Sequence, residues 1–135
     1  TSLSPVVDCR GIYGTSCDPV PEFRTTLRTN WYRDNVDASL LWRHIGGMDI
    51  QSNESSAAFP AFRSVEAQNY FDLTIGYTWN DFMRVSLLVL NIADEDPPIL
   101  GNETGSTAFN SGNTFPSLFD TMGRTYSANV KLSFE

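Results

Sequence analysis

Apolar and polar residues alternate with a two-residue period in five stretches of the chain, 22–32, 36–45, 69–79, 82–92 and 124–134. That period is the side-chain repeat of a β-strand, while helical periodicity is weak throughout, so five strands of an all-β fold are predicted. In the first stretch Phe23, Thr25, Leu27, Thr29 and Trp31 take one face, and Glu22, Arg24, Thr26, Arg28 and Asn30 take the other. Val36, Ala38, Leu40 and Trp42 oppose Asp37, Ser39 and Arg43 in the second; Phe71, Leu73, Ile75, Tyr77 and Trp79 oppose Asp72, Thr74 and Thr78 in the third. The fourth sets Met83, Val85, Leu87 and Val89 against Arg84 and Ser86, and the fifth sets Tyr126, Ala128, Val130, Leu132 and Phe134 against Ser127, Asn129, Lys131 and Ser133. None of the apolar-face positions carries a charge.

The connections alternate in length. Arg33-Asp34-Asn35 and Trp79-Asn80-Asp81 are tight polar turns, whereas 46–68 and 93–123 are long and rich in Gly, Ser, Asn, Thr and Pro, and 1–21 resembles them. Short turns at one end and long loops at the other are the pattern of an outer-membrane barrel, with short periplasmic turns and longer extracellular loops. Strands of this length also suit a tilted transmembrane β-strand. On that expectation Leu27, Leu40, Leu73, Ile75, Val85, Leu87, Val130 and Leu132 meet lipid, while Arg24, Arg28, Arg43, Asp72, Arg84 and Lys131 face the lumen. Trp31, Trp79, Phe82 and Phe134 fall beside the short turns or the C-terminal end, where they form a periplasmic aromatic girdle.

Composition agrees with a chain only partly covered by water. The 135 residues fit one domain or part of a larger one, and charged residues make up 19%, below the roughly 25% of an ordinary soluble domain. A net charge of −7 argues against a nucleic-acid partner, which requires a phosphate-neutralising surface. No apolar run approaches the length of a spanning helix. The first residues have neither a basic start nor an apolar core, and the chain does not open with Met, so it reads as a processed or truncated product.

The chain has two cysteines and one histidine. Cys9 and Cys17 are separated by glycines and small polar residues that let the segment fold back, so a loop-closing disulfide and an oxidising compartment are expected. A zinc cage needs more soft ligands than His44 adds, and a lone histidine gives no triad, so no metal, no cofactor and no enzymatic activity are expected.

The last third resembles the C-terminal end of TonB-dependent outer-membrane receptors. Asn91-Ile92-Ala93-Asp94 stands where that family commonly has Asn-Leu-Phe-Asp. It is followed by Asn113-Thr114-Phe115-Pro116, Phe119-Asp120 and Met122-Gly123-Arg124, similar to the family's Asn-Thr-Tyr-Pro, Tyr-Asp and Leu-Gly-Arg before the final strand. Upstream, the cysteine pair before Pro21-Glu22-Phe23-Arg24, and Leu41-Trp42-Arg43 before Gly46, look like the same family's preceding loop and strands. The terminal strand is similar to the signal read by the barrel-assembly machinery, here Ser127, Asn129, Leu132 and Phe134, although Asn129 replaces a glycine and Glu135 follows the aromatic.

The resemblance implies a 22-stranded antiparallel barrel around an N-terminal plug, with this chain as a C-terminal barrel segment and the plug outside these residues. It implies energised uptake of a scarce nutrient, a siderophore, cobalamin, oligosaccharide or peptide, across the bacterial outer membrane. The implied partners are the remaining strands and plug, of the same barrel or from a second chain, outer-membrane lipid and lipopolysaccharide, and the TonB complex. Within the long loops, Tyr13, Phe59, Phe109, Asn110 and Phe115 are candidates for ligand contact by stacking and hydrogen bonding. Two alternatives stay open: a secreted soluble β-sandwich for binding or adhesion, which would bury Trp31, Trp42 and Trp79 in a shared core, and a passive outer-membrane barrel.

Overall fold

The computed structural model describes residues 6–53, 58–101 and 113–134. It is all-β, with strands β1 (Ile12–Gly14), β2 (Cys17–Val20), β3 (Arg24–Arg33), β4 (Val36–Ile45), β5 (Met48–Ile50), β6 (Ser64–Val65), β7 (Gln68–Asn80), β8 (Met83–Leu90) and β9 (Thr125–Leu132), and one 3-10 turn at Pro60–Phe62. Among the described residues no helix is long and apolar enough to cross a membrane. The strands form two sheets, and the chain divides into two compact units.

One unit comprises Thr25–His44, Asn69–Asp96 and Asp120–Glu135. Its sheet runs β3-β4-β7-β8-β9, so every long strand pairs with its neighbour in sequence and β3 and β9 are edges. Antiparallel pairing sets Leu73 opposite Val89 and Val89 opposite Tyr126, Ile75 opposite Leu87 and Leu87 opposite Ala128, and Tyr77 opposite Val85 and Val85 opposite Val130. Residues directly opposed across a ladder share a face, so the apolar sets of these three strands merge into one surface. The alternate rows, Thr74–Leu88–Ser127, Gly76–Ser86–Asn129 and Thr78–Arg84–Lys131, make the other.

Among the described residues of this unit, no second layer covers the apolar surface. Ile75 is 38% exposed, Val85 37%, Leu87 42% and Leu132 49%. The buried described residues of the unit are Tyr70, Asp72, Gly76 and Asn91, and no aliphatic side chain is among them. The strands follow the alternation in the sequence with small differences at their ends. A bulge between Thr78 and Asn80 leaves Trp79 without a direct partner and moves the start of β8 to Met83. β8 stops at Leu90 because Asn91 and Asp94 turn to positive φ, 49° and 57°, a region open to Asn and Asp more readily than to branched residues.

The other unit comprises Thr1–Arg24, Ile45–Gln68 and Pro97–Phe119. Segments expected as connecting loops supply its four short strands in the order β2-β1-β5-β6, with β1 parallel to β5 and the other pairs antiparallel. Its core contains Tyr13, Cys17, Met48, Ile50, Val65, Leu100, Phe115 and Phe119. The Tyr13 hydroxyl donates to the Phe62 carbonyl at 2.5 Å, and its ring meets Phe115 edge-on with centroids 5.9 Å apart. Cys9 and Cys17 form a disulfide with Cα atoms 5.4 Å apart, closing the chain around Tyr13. The loops carry enough large apolar side chains to bury one another, which the two-residue period of the long strands does not reveal.

Candidate functional site

The polar face of the five-stranded sheet is organised by two ion pairs. Arg84 on β8 reaches Asp37 on β4, with Nη2 2.7 and 2.9 Å from the two carboxylate oxygens, and Nη1 donates to Thr78 Oγ1 at 3.2 Å. The strand between them, β7, presents Gly76 at this level. A Cβ there would stand 2.3 Å from Arg84 Nη2 and 2.7 Å from Asp37 Oδ1, so a side chain and this ion pair compete for one space. A lone glycine on the polar parity of a strand is the sequence signal for such an approach.

Nearer the long loops, Arg43 donates twice to Asp72, at 3.2 and 3.3 Å, and its guanidinium lies 5.2 Å from the Tyr70 ring centroid. Asp72 is 7% exposed, and a buried carboxylate requires such donors. It also accepts the Asn91 backbone N–H at 2.9 Å. Arg28 donates to Ser39 at 3.3 Å, and Lys131 stands exposed in the Thr78–Arg84 row. Arg24 opens β3 and, in the loop unit, lines a shallow cleft with Asp18, Pro19, Ser117 and Leu118.

The motif residues ahead of β9 tie that strand to the turn after β8. Asn91, wholly buried, uses its side-chain amide in both directions with the Glu95 backbone, donating from Nδ2 to O and accepting from N at 3.0 Å each. Asp94 accepts from the Arg124 backbone N–H at 2.8 Å and from its guanidinium at 3.1 Å. These hydrogen bonds, the backbone one foremost, hold the Asp94 carboxyl below its ordinary value of 3.8. Gly123, at φ 67°, keeps clear the space beside Asp94 Oδ1. Tyr70 Oη accepts from the Asp120 N–H at 3.3 Å. Asp94 and Arg124 come from two different stretches of the family resemblance, and the fold joins them; Tyr70 carries no signal in the sequence that foretells its part.

On the apolar face, Leu27 and Val130 are exposed with Ile75, Val85, Leu87 and Leu132, and Leu40 and Leu73 are half-buried. Trp31, Trp79, Phe82 and Phe134 are all exposed. The 34–35 turn lies beside Thr78 through the Thr78 N–H to Asn35 carbonyl bond at 2.8 Å, and Ser133 N–H donates to the Phe82 carbonyl at 2.8 Å, so both turns and the end of β9 share one level. Ser127, Asn129 and Leu132 lie on β9, opposite Leu88, Ser86 and Met83; Phe134 follows the strand, and Glu135 lies outside the described residues.

The candidates for ligand contact separate sharply. Tyr13 is 0% and Phe115 1% exposed: they bind the loops to each other and offer no surface to a ligand, which corrects the expectation for both. Phe59 is exposed and packs edge-on against Phe62 with centroids 6.4 Å apart. Phe109 and Asn110 lie outside the described residues. Among the described residues no three His, Cys, Asp or Glu side chains gather as a metal site. No family model, curated protein or solved structure matches the chain.

Proposed function

We propose that this chain is barrel wall and extracellular loop structure of a TonB-dependent outer-membrane receptor that takes up a scarce nutrient. The supporting observation is the five-stranded sheet with one apolar face left exposed and one polar face crossed by ion pairs. In water, so wide an apolar surface is a liability. Against acyl chains it is the favourable arrangement, and the charges then belong on the lumen side. The two edge strands fit the same reading, because a sheet in lipid must pair its edges with further strands. The disulfide supports an oxidising compartment such as the bacterial cell envelope.

A secreted sandwich is less well supported, since Trp31 and Trp79 are exposed and no shared core gathers the three tryptophans. The motif resemblance favours an energised receptor over a passive barrel, and Asp94–Arg124 gives two of its motifs a common structural purpose. The nutrient is a siderophore, cobalamin, oligosaccharide or peptide. The test uses the full-length protein in its own outer membrane. The expected result is extraction by detergent alone, and nutrient uptake that stops when a protonophore collapses the inner-membrane gradient. Recovery as a monodisperse soluble protein in plain buffer would overturn the membrane reading, and uptake indifferent to the protonophore would overturn energised transport.

A further inference from the structure

One cleft in the loop unit holds two opposite charges that do not meet. It has a volume of about 360 Å³ and is lined, among the described residues, by Asp18, Pro19, Arg24, Ser117 and Leu118. Elsewhere in the chain Asp8, Asp37, Asp72 and Asp94 each bind an arginine at 3.2 Å or less. Asp18 and Arg24 share the cleft without an ion pair, and neither side chain has a hydrogen-bond partner among the described residues. Both are exposed, as is Ser117, while Pro19 and Leu118 are half-buried.

Each wall of the cleft is fixed from behind. Asp18 lies between Cys17, which is bonded to Cys9, and Pro19, whose ring sets its own φ. Arg24 follows Phe23, whose carbonyl accepts the Gly46 N–H at 2.8 Å. A Cβ on Gly46 would stand 2.8 Å from that same oxygen, so the approach needs a glycine. Ser117 and Leu118 belong to a turn in which the Leu118 and Phe119 N–H groups donate to the Phe115 carbonyl at 3.0 Å, and Phe115 is core. The backbones that carry the two charges are therefore spaced before a ligand arrives, which lowers the ordering cost of binding it.

Resting on the receptor reading above, we propose that this cleft binds a small zwitterion, the free termini of an amino acid or short peptide, and that the nutrient is of that class. Arg24 takes the carboxylate through two parallel N–H donors. Asp18 takes the ammonium, Ser117 offers a hydroxyl, and an aliphatic side chain of the ligand lies against Pro19 and Leu118. A ligand of one charge sign would satisfy one wall and be repelled by the other. A neutral oligosaccharide uses neither charge, and among the described lining residues it finds no aromatic ring to stack on. Cobalamin is far larger than the cleft, whose volume lies near the lower end of the range for small-molecule sites.

The test uses the full-length protein purified in detergent, dialysed against glycine, alanine, leucine and their di- and tripeptides in equimolar mixture. Mass spectrometry reads the retained species and separates free amino acids from peptides. Retention should fall about tenfold when the amine is acetylated or the carboxylate amidated, the scale of one charge-assisted hydrogen bond. Asp18→Asn should abolish the discrimination against acetylated ligands, and Arg24→Gln that against amidated ones, with heat-modifiable migration on gels showing that each variant has assembled. The comparison of free with blocked ligands in the wild type stands whether or not the variants assemble. No retention, equal retention of free and blocked ligands, or a preference unchanged in both variants overturns the zwitterion site, while protonophore-sensitive uptake of another nutrient leaves the receptor standing. Retention of the free forms without protonophore-sensitive uptake of them overturns energised transport and leaves the cleft as a binding site.

Discussion

Arg84 and Asp37 meet at 2.7 Å over a strand to which neither belongs, passing above Gly76 of β7 where any side chain would intrude. The pair stitches three strands at one level, and its partners are 47 residues apart. Gly76→Ala should displace both flexible ends and cost about 0.5–1 kcal/mol, the scale of a part-exposed ion pair. In an Arg84→Gln background the same substitution should cost nearly nothing. Denaturant midpoints of the four proteins in a double-mutant cycle measure the difference; equal costs in both backgrounds would show that Gly76 serves something else.

Ile75 and Ser86 test the two faces. Ile75 lies on the apolar surface and is 38% exposed, while Ser86 shares its row with Gly76 and Asn129 on the polar one. If acyl chains cover the first, Ile75→Arg should cost about 2–4 kcal/mol and reduce folded barrel in the outer membrane, and Ser86→Arg should be tolerated. A protein bathed in water would treat both as surface changes within about 0.5 kcal/mol. Heat-modifiable migration on gels reads the folded fraction directly.

Tyr13 anchors the loop unit by its ring and its hydroxyl. Tyr13→Phe keeps the contact with Phe115 but strands the Phe62 carbonyl, with an expected loss of about 1–1.5 kcal/mol. Tyr13→Ala opens a cavity and should cost about 3–5 kcal/mol. The Cys9–Cys17 bridge, with a sequence separation of 8, should contribute about 2–3 kcal/mol on chain-entropy grounds. Protease susceptibility of the loops, measured with and without reductant, follows all three.

Asp94 makes stability depend on acid pH with a definite sign. Its folded value is depressed below 3.8 by Arg124, so the stabilisation is fully present above 3.8 and disappears as pH falls through the depressed folded value. Asp94→Asn should flatten that part of the acid unfolding curve. Asp8, held at about 2 first by the Arg10 side chain and then by its backbone N–H, titrates there too, so the comparison is between wild type and Asp94→Asn at matched pH. Parallel curves would mean that the Asp94–Arg124 contact contributes nothing.

The long strands were legible because alternation is local: a residue's face in a strand follows from its parity alone. Parity placed Arg43, Asp72, Arg84 and Lys131 together on one side and Ile75, Leu87 and Val130 on the other before any contact was known. The short strands of the loop unit were illegible for the opposite reason. Two to four residues give no period to detect, and β1 pairs in parallel with β5, which lies more than thirty positions along the chain.

Local pattern by itself therefore determined which residues extend and which way each side chain points, since both depend only on backbone pleat. Tertiary structure alone decided that Arg84 finds Asp37, that Asp94 finds Arg124, and that Tyr13 and Phe115 are core. Such meetings depend on hydrogen bonding and burial between distant segments, and no short stretch of sequence carries them.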